Sequence, residues 1–525
     1  MKRLIALRKE KLMDKSRTKN SIKNIKSGII VQLINKILAF VARTVFIQIL
    51  NIQYLGINGL FTNILTLLSF AELGIGTAII FSMYKPVAED DQEKLKSLIM
   101  LYKKTYRVIG FTIFGIGLII IPFLQYLVKD TTEIKENINI LYLLFLVNTA
   151  VSYFFTYKRS IISAYQQERI INYISGIVKL IITVLQMAFL IITHNYIIYL
   201  IITIFGTLME NIIISYKANK MFPFLKEKNV KELEKSEKKD IFSNVTSLVV
   251  YKIGGIILDG TDNVIMSAMI NVSTVGLASN YALIITSLKS MLATILNSIT
   301  ASVGNLNAGN DTKKEEKIFD QLTFLNYLLY SFVAVGVAVL INDLIKIWIG
   351  QEYLLGVGVA IVLATNIVIE GIRLPAYTYR VTLGLFRKGK ITPYIATIVN
   401  VVTSVILCHF FGVIGIFIGT GLAQLASYSW IDAYLIYKYE FKKKVTRYYL
   451  KVLKYFMVFS VNVFVSYKII SCVTIENTVL NFAIKCVLAC IIPNCINLIS
   501  FCKTEEFKDI KNKFIKEKIK DNKGR

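Results

Sequence analysis

The chain repeatedly offers apolar runs long enough to cross a lipid bilayer, and this limits its fold more than any other feature. A helix needs roughly 20 mostly apolar residues to traverse the ~30 Å hydrocarbon core. Fourteen such runs can be marked: 27–50, 57–84, 108–128, 138–157, 170–192, 196–216, 241–266, 275–302, 318–341, 355–379, 391–409, 413–437, 449–467 and 477–501. They are continuous rather than alternating. That pattern predicts helices and not barrel strands, because each span must satisfy its own backbone hydrogen bonds in lipid. The expected fold class is therefore all-α, a polytopic membrane protein of about 14 transmembrane helices. A mean hydropathy of +0.57 with only 18% charged residues leaves too little polar surface for a water-soluble enzyme of 525 residues.

A formal charge of +27 seems to conflict with this until the basic residues are placed. Of 61 Lys and Arg, 48 fall in 1–26, 85–107, 158–169, 217–240, 303–317, 380–390, 438–448 and 502–525. The seven alternate connections hold only Lys129, Lys135, Lys346 and Lys468. Such alternation is what the excess of Lys and Arg in cytoplasmic loops produces for an even number of spans, with both termini cytoplasmic. The charge is thus spread over loops and gives no reason to expect a nucleic-acid partner. No secretory signal is expected, since residues 1–26 are polar and the first apolar run is too long for one. Residues 1–26 and 502–525 read as basic cytoplasmic tails, solvated or lying on anionic lipid.

The charged connection 217–240 divides an N-terminal six-helix half (27–216) from a second (241–437), and 438–501 adds helices 13 and 14. Sliding the chain along itself until Ser27 meets Ser243 also sets Lys36 beside Lys252 and Arg43 beside Asp259. In a slightly longer register, Leu55-Gly56 meets Val275-Gly276. Two six-helix repeats related by a pseudo-twofold, around a central cavity, are expected. Transporters of this plan place their substrate at the repeat interface near the midplane.

Charge inside a span costs about 2.5–3.5 kcal/mol per residue at the helix centre on insertion scales. The spans nevertheless contain Lys36, Arg43, Lys179, Lys252, Lys289, Arg373, Lys451, Lys454 and Lys485, against Glu72, Glu210, Asp259, Asp262, Glu370 and Asp432. Lys451 and Lys454 lie near a span end and are expected to snorkel. Lys36, Lys252 and Lys289 lie near span centres. Lys36 and Arg43 are seven apart, hence on one helical face, and Lys252 and Asp259 repeat that spacing. Glu370 and Arg373, at i and i+3, are expected to pair. One reading gives every cation an acidic mate that merely stitches helices together. The sharper reading makes Lys36, Arg43, Lys252 and Lys289 the walls of a basic, water-filled cavity between the halves that receives an anionic, phosphate-bearing group. Glu72, Asp259, Glu370 and Arg373 are then coupling or counter-charge candidates, with Glu72 suited to carry a proton.

The six cysteines show no metal-ligand or redox spacing and read as free thiols. His194 and His409 fall at expected outer ends. Glycines cluster at 54–60, 72–78, 114–118 and 415–421, where close helix packing is expected. No phosphate-binding loop, zinc-protease motif or nucleophile elbow occurs, so no catalytic residue, metal or cofactor is expected.

The segment NIKSGIIVQLINKILAFVARTVFIQILNIQYLGINGLFTNILTLLSFAELGIGTAI (24–79) and the following YKPVAEDDQEKLKSLIMLYKKTYRVIG (84–110) resemble the polysaccharide repeat-unit (Wzx-type) flippases of the multidrug/oligosaccharidyl-lipid/polysaccharide exporter superfamily. Beyond residue 240 the resemblance rests on topology. It implies a transporter, not an enzyme, in a bacterial cytoplasmic membrane. Such proteins move undecaprenyl-diphosphate-linked oligosaccharides between leaflets for capsule, exopolysaccharide or O-antigen synthesis. It also implies a cationic lumen, alternating access coupled to a proton or sodium gradient, contact with membrane lipids, and polymerase and other assembly partners. Lys36, Arg43, Lys252 and Lys289 become lumen candidates by position and charge. Asp259, at the place of Arg43, departs from a uniformly basic lumen. A lipid II flippase or a multidrug exporter of the same superfamily is the nearest alternative. A membrane glycosyltransferase or polymerase is disfavoured because the outer connections 129–137 and 342–354 are too short for a folded domain.

Overall fold

The computed structural model describes residues 27–512 apart from 73–74, 228–229, 240, 242–259, 305–311, 384, 386–387 and 390. In chain order the helices are α1 (Ser27–Ile49), α2 (Ile52–Leu68), α3 (Ile75–Glu89), α4 (Gln92–Ile120), α5 (Leu124–Leu127), α6 (Ile138–Phe155), α7 (Arg159–Ala164), α8 (Glu168–Thr193), α9 (Tyr196–Met221) and α10 (260–269). They continue as α11 (Val272–Gly304), α12 (Thr312–Trp348), α13 (Val357–Thr382), α14 (Thr392–Phe411), α15 (Val413–Ala426), α16 (Tyr428–Ile436), α17 (Thr446–Ser471) and α18 (Thr478–Phe501). No strand occurs among the described residues.

Among the described residues, twelve helical segments are long and apolar enough to span a membrane, and they coincide with twelve of the fourteen expected runs. The seventh run, 241–266, lies mostly outside the described residues, which include its end as α10. The second run, 57–84, is not one helix. It begins earlier as α2 and breaks into a tight turn at Ser69–Glu72 before α3. The break is local chemistry. Ser69 Oγ donates back to the Leu65 carbonyl at 2.7 Å, and two glycines, poor helix formers, follow within SFAELGIG.

Five of the helices that begin at the Lys-poor connections have an asparagine at their start. Asn51, Asn137, Asn195 and Asn477 each accept from backbone N–H groups of the turn that follows, and Asn271 accepts from Thr274 N–H at 2.8 Å. A short neutral acceptor satisfies the free donors of a helix start without adding charge.

The chain divides into two compact units, one of residues up to 256 plus 271–276, the other of 257–270 and the chain from 277 onward. In the first, α8 packs on α9, α6 on α9, and α4 on α6. The start of α11 also belongs here, and it crosses α2 on two glycines. A Cβ at Gly56 would lie 2.0 Å from the Val272 carbonyl oxygen, and one at Gly276 would lie 2.5 Å from that of Ile52. Each glycine seats the other helix's first turn, and the step in sequence from Gly56 to Gly276 equals that from Ile52 to Val272. The internal repeat read from the sequence is therefore a reciprocal contact in three dimensions.

The connection after α9 is docked onto α4 by ion pairs. Lys94 pairs with Glu237, Lys96 with Glu93 and with Glu227 (2.7 Å), and Lys104 with Glu232 (2.6 Å). Ser97 Oγ donates to the Lys231 carbonyl at 2.6 Å. Hydrogen bonds from Lys104 and Lys238 hold the Glu232 carboxyl below the usual carboxylate range, and Lys94 does the same for Glu237.

In the second unit α12 packs on α13, α14 on α15, and α17 and α18 pack together and on α12. Charges placed inside spans by the sequence find partners here. Lys485 meets Asp343 at 2.7 Å. Lys451 does not snorkel freely: it is held by Asp320 at 2.5 Å and Glu506 at 2.7 Å. Lys454 lies over the Phe501 ring at 5.1 Å. Arg380, counted by sequence as a loop cation, is within α13, fully buried, and 2.9 Å from the equally buried Asp432. The span continues one turn further than hydropathy indicates because this pair carries the charge. All six cysteines are free thiols, and only Cys408 is buried.

Breaking a buried pair leaves a desolvated charge, which costs about 3–5 kcal/mol. Asp432→Ala is expected to destabilise the purified protein by that amount in a denaturant titration, and Arg380→Ala with Asp432→Ala is expected to be milder than either single change. A carboxylate held below its ordinary value contributes stability that is complete above that value and lost as pH falls through the folded one. Protection of 230–239 from proteolysis is therefore expected to fall as pH drops below the ordinary glutamate range, and Glu232→Gln with Glu237→Gln is expected to weaken this dependence.

Candidate functional site

Several helices of the first unit carry polar stripes at helical spacing within otherwise apolar sequence. On α8, Lys179, Thr183 and Gln186 stand at i, i+4 and i+7. On α2, Asn58, Thr62 and Thr66 do likewise, with Ser69 just past its end, and α1 brings Asn35 and Arg43. These stripes converge. A cavity of about 230 Å³ is lined by Asn35, Arg43, Asn58, Lys179, Thr183 and Gln186 among others. A second, of about 290 Å³, shares Asn58, Lys179, Gln186 and Tyr199 and adds Thr62, Thr66, Asn148 and Thr203. The two form one polar recess. Gln186 Nε2 donates to Thr203 Oγ1 at 2.7 Å, and Asn58 Nδ2 to Tyr196 Oη at 3.2 Å, which fixes the walls. Phe46 closes one side, edge-on to Tyr196 and Tyr199 at 5.7 and 5.5 Å. The recess has two cationic side chains and no carboxylate among its lining residues. Such a wall attracts anions.

This places the expected residues as follows. Arg43 lines the recess, half-buried. Lys36, one heptad before it, is half-buried but is not among the lining residues, which on that side begin at Asn35. Lys179 is the cation that the sequence-based site omits. Its signal was present in the Lys-Thr-Gln stripe of α8. Lys252 and Asp259 lie outside the described residues.

Glu72 sits among tyrosines. Tyr106 Oη donates to its carboxylate at 2.5 Å, Tyr153 also reaches it, and Tyr102 packs edge-on to Tyr106 at 4.3 Å. Gly76 makes room, since a Cβ there would lie 2.6 Å from the Tyr106 hydroxyl. No cation pairs with Glu72 among the described residues.

In the second unit Lys289 is ion-paired with Glu370, both about one third exposed. The expected Glu370–Arg373 pair is therefore replaced: Lys289 competes successfully from another helix, and Arg373 stacks on the Tyr428 ring at 4.7 Å. Asp262 accepts from Thr420 Oγ1 at 2.6 Å and from Asn400 at 3.4 Å, and Thr261 Oγ1 donates to Asn400 Oδ1 at 2.8 Å. That network joins α10, α14 and α15.

Solved structures define the class of fold. The lipid II flippase MurJ, in an inward closed conformation, aligns with a TM-score of 0.63 at 16% identity, over 90% of this chain and 97% of that one. A multidrug resistance MATE family transporter of the MOP superfamily, inward-facing, aligns at 0.57 with 13% identity, over 78% and 98%. The MATE transporter VcmN of Vibrio cholerae aligns at 0.52 with 12% identity, over 82% and 99%. The chain is a multi-pass membrane protein with this transporter fold. Residues 21–303, more than half of its length, match the model of a polysaccharide biosynthesis protein, and the chain belongs to that family. A search of curated proteins finds no sequence match.

Proposed function

We propose that this protein flips undecaprenyl-diphosphate-linked oligosaccharide repeat units across a bacterial cytoplasmic membrane by alternating access, for capsule, exopolysaccharide or O-antigen assembly. Both termini are then cytoplasmic, and the flipped lipid passes to a polymerase. The observation that carries this reading is the recess walled by Arg43 and Lys179 within apolar helices, with amides and hydroxyls and no carboxylate among its described lining residues. A diphosphate sugar cannot cross the hydrocarbon core without losing its hydration. Cations can replace water at the diphosphate, and Asn, Gln and Thr side chains can replace it at sugar hydroxyls, while the polyprenyl tail stays in lipid. A multidrug exporter for cationic compounds would need acids where this recess has none. Lipid II shares the diphosphate, so the accumulated lipid decides between the two substrates.

Hydrogen bonds to charged groups contribute about 1.5–3 kcal/mol each. Arg43→Ala and Lys179→Ala are thus each expected to slow flipping roughly 10- to 100-fold, read as lost surface polysaccharide with the repeat-unit lipid accumulating in the membrane. Normal polymer in a well-inserted double variant would sink the assignment, and accumulating lipid II would redirect it.

Glu72 is the proposed coupling group for a proton gradient, because it is held by neutral tyrosine hydroxyls. Glu72→Gln is expected to retain binding of the lipid substrate while transport by reconstituted protein loses its response to an imposed pH gradient. An unchanged response would remove Glu72 from the mechanism.

A further inference from the structure

Outside the recess, two neighbouring pairs of cations in the first unit each split in the same way. On α4, Lys104 reaches Glu232 at 2.6 Å, whereas Lys103 beside it does not share that acid. At the start of α7, Arg159 meets Glu210 at 3.4 Å, whereas the adjacent Lys158 has no such mate. The two left over converge on one ring: Lys103 Nζ and Lys158 Nζ lie 5.6 and 5.8 Å from the centre of Tyr157. Arg107, exposed and one helical turn beyond Lys103, is close enough for its charge to act on the same phenol. None of the three has a carboxylate partner among the described residues.

Three like charges around one aromatic ring repel one another, and a neutral ring offsets only part of that. A tetrahedral oxyanion would offset the rest, with an Arg fork and two Lys point charges as its donors. What lies next to the cluster identifies the anion's carrier. Along α4, Arg107 is followed by Val108, 65% exposed, and Phe111, 66% exposed, whose ring lies 5.1 Å from Phe154. A headgroup seated on the cations would have an apolar wall directly beneath it for hydrocarbon chains.

We propose that Lys103, Arg107 and Lys158, grouped around Tyr157, bind the phosphate of an anionic phospholipid whose acyl chains lie along Val108 and Phe111. The site is separate from the recess and does not depend on the transport reading. A soluble phosphate would gain nothing from the apolar wall.

The test is native mass spectrometry of the full-length protein, released from nanodiscs of mixed phosphatidylglycerol and phosphatidylcholine. Wild type is expected to retain phosphatidylglycerol selectively. Basic residues near a bilayer surface strengthen anionic-lipid binding by roughly fivefold each, so Lys103→Gln with Arg107→Gln and Lys158→Gln should weaken retention by about a hundredfold. Lys104→Gln, which removes an acid-paired neighbour, should leave retention close to wild type, and a thermal melt of each variant checks folding. Equal retention of the two lipids by wild type would overturn the proposal. So would equal loss in the Lys104 variant, or displacement of the lipid by millimolar inorganic phosphate, which would mark a free-anion site.

Discussion

A charge inside a membrane must have a partner, water or a route to the interface, and most of this molecule's polar architecture follows from that constraint. The second unit answers with partners. Lys289 has Glu370, Arg380 has Asp432, Lys485 has Asp343, and Lys451 has both Asp320 and Glu506. Each pair ties two elements together, so the same residues that would be penalised alone set which helices sit side by side. The first unit answers differently at α1 and α8. There Arg43 and Lys179 face a recess, and amides and hydroxyls line it instead of acids. An anion entering a recess lined by amides and hydroxyls has no lining carboxylate to displace, whereas at Lys289 it would have to displace Glu370.

That distinction sorts the cations better than their depth in the span does. Lys36 and Lys289 were attractive because they lie near span centres, but the first does not line the recess and the second is engaged by Glu370. Lys103 and Lys158 stand at the other extreme. They lie near a span end, where basic residues ordinarily need no explanation, yet they differ from Lys104 and Arg159 beside them in having no acid among the described residues.

Hydropathy alone located twelve of the fourteen expected spans, because the cost of unsatisfied backbone in lipid forces long continuous apolar helices. It misplaced features decided by single side chains. The Ser69–Glu72 break in the second span is set by a serine bonding back to its own helix and by glycines, neither of which lowers hydropathy much. Arg380 ended its span by sequence because a charge normally does, and only the distant Asp432 makes its burial tolerable. Glu370 and Arg373 sit one turn apart and so looked like a pair, but spacing along a helix cannot reveal a competitor from another one. Lys179 is legible only as part of a polar stripe, because its charge alone does not mark it and the threonine and glutamine that share its face do.

The internal repeat shows which part of the plan is shared and which is specialised. Asn51 and Asn271 both cap, and Gly56 and Gly276 seat each other's first turn through Val272 and Ile52, all in one register of the repeat. This is backbone geometry, and it requires the same small residues in both copies, since any Cβ at either glycine would collide with a carbonyl. The charges do not follow the repeat. In the register that matches Lys36 with Lys252, Arg43 faces Asp259 in sequence, and the acid-free lining of the first unit contrasts with the ion-paired Lys289 and Glu370 of the second. Packing symmetry and electrostatic asymmetry are compatible because they draw on different positions of the same helices. A duplicated frame can keep its crossing points while the side chains between them diverge, ion-paired in one copy and set in a wall of amides and hydroxyls in the other.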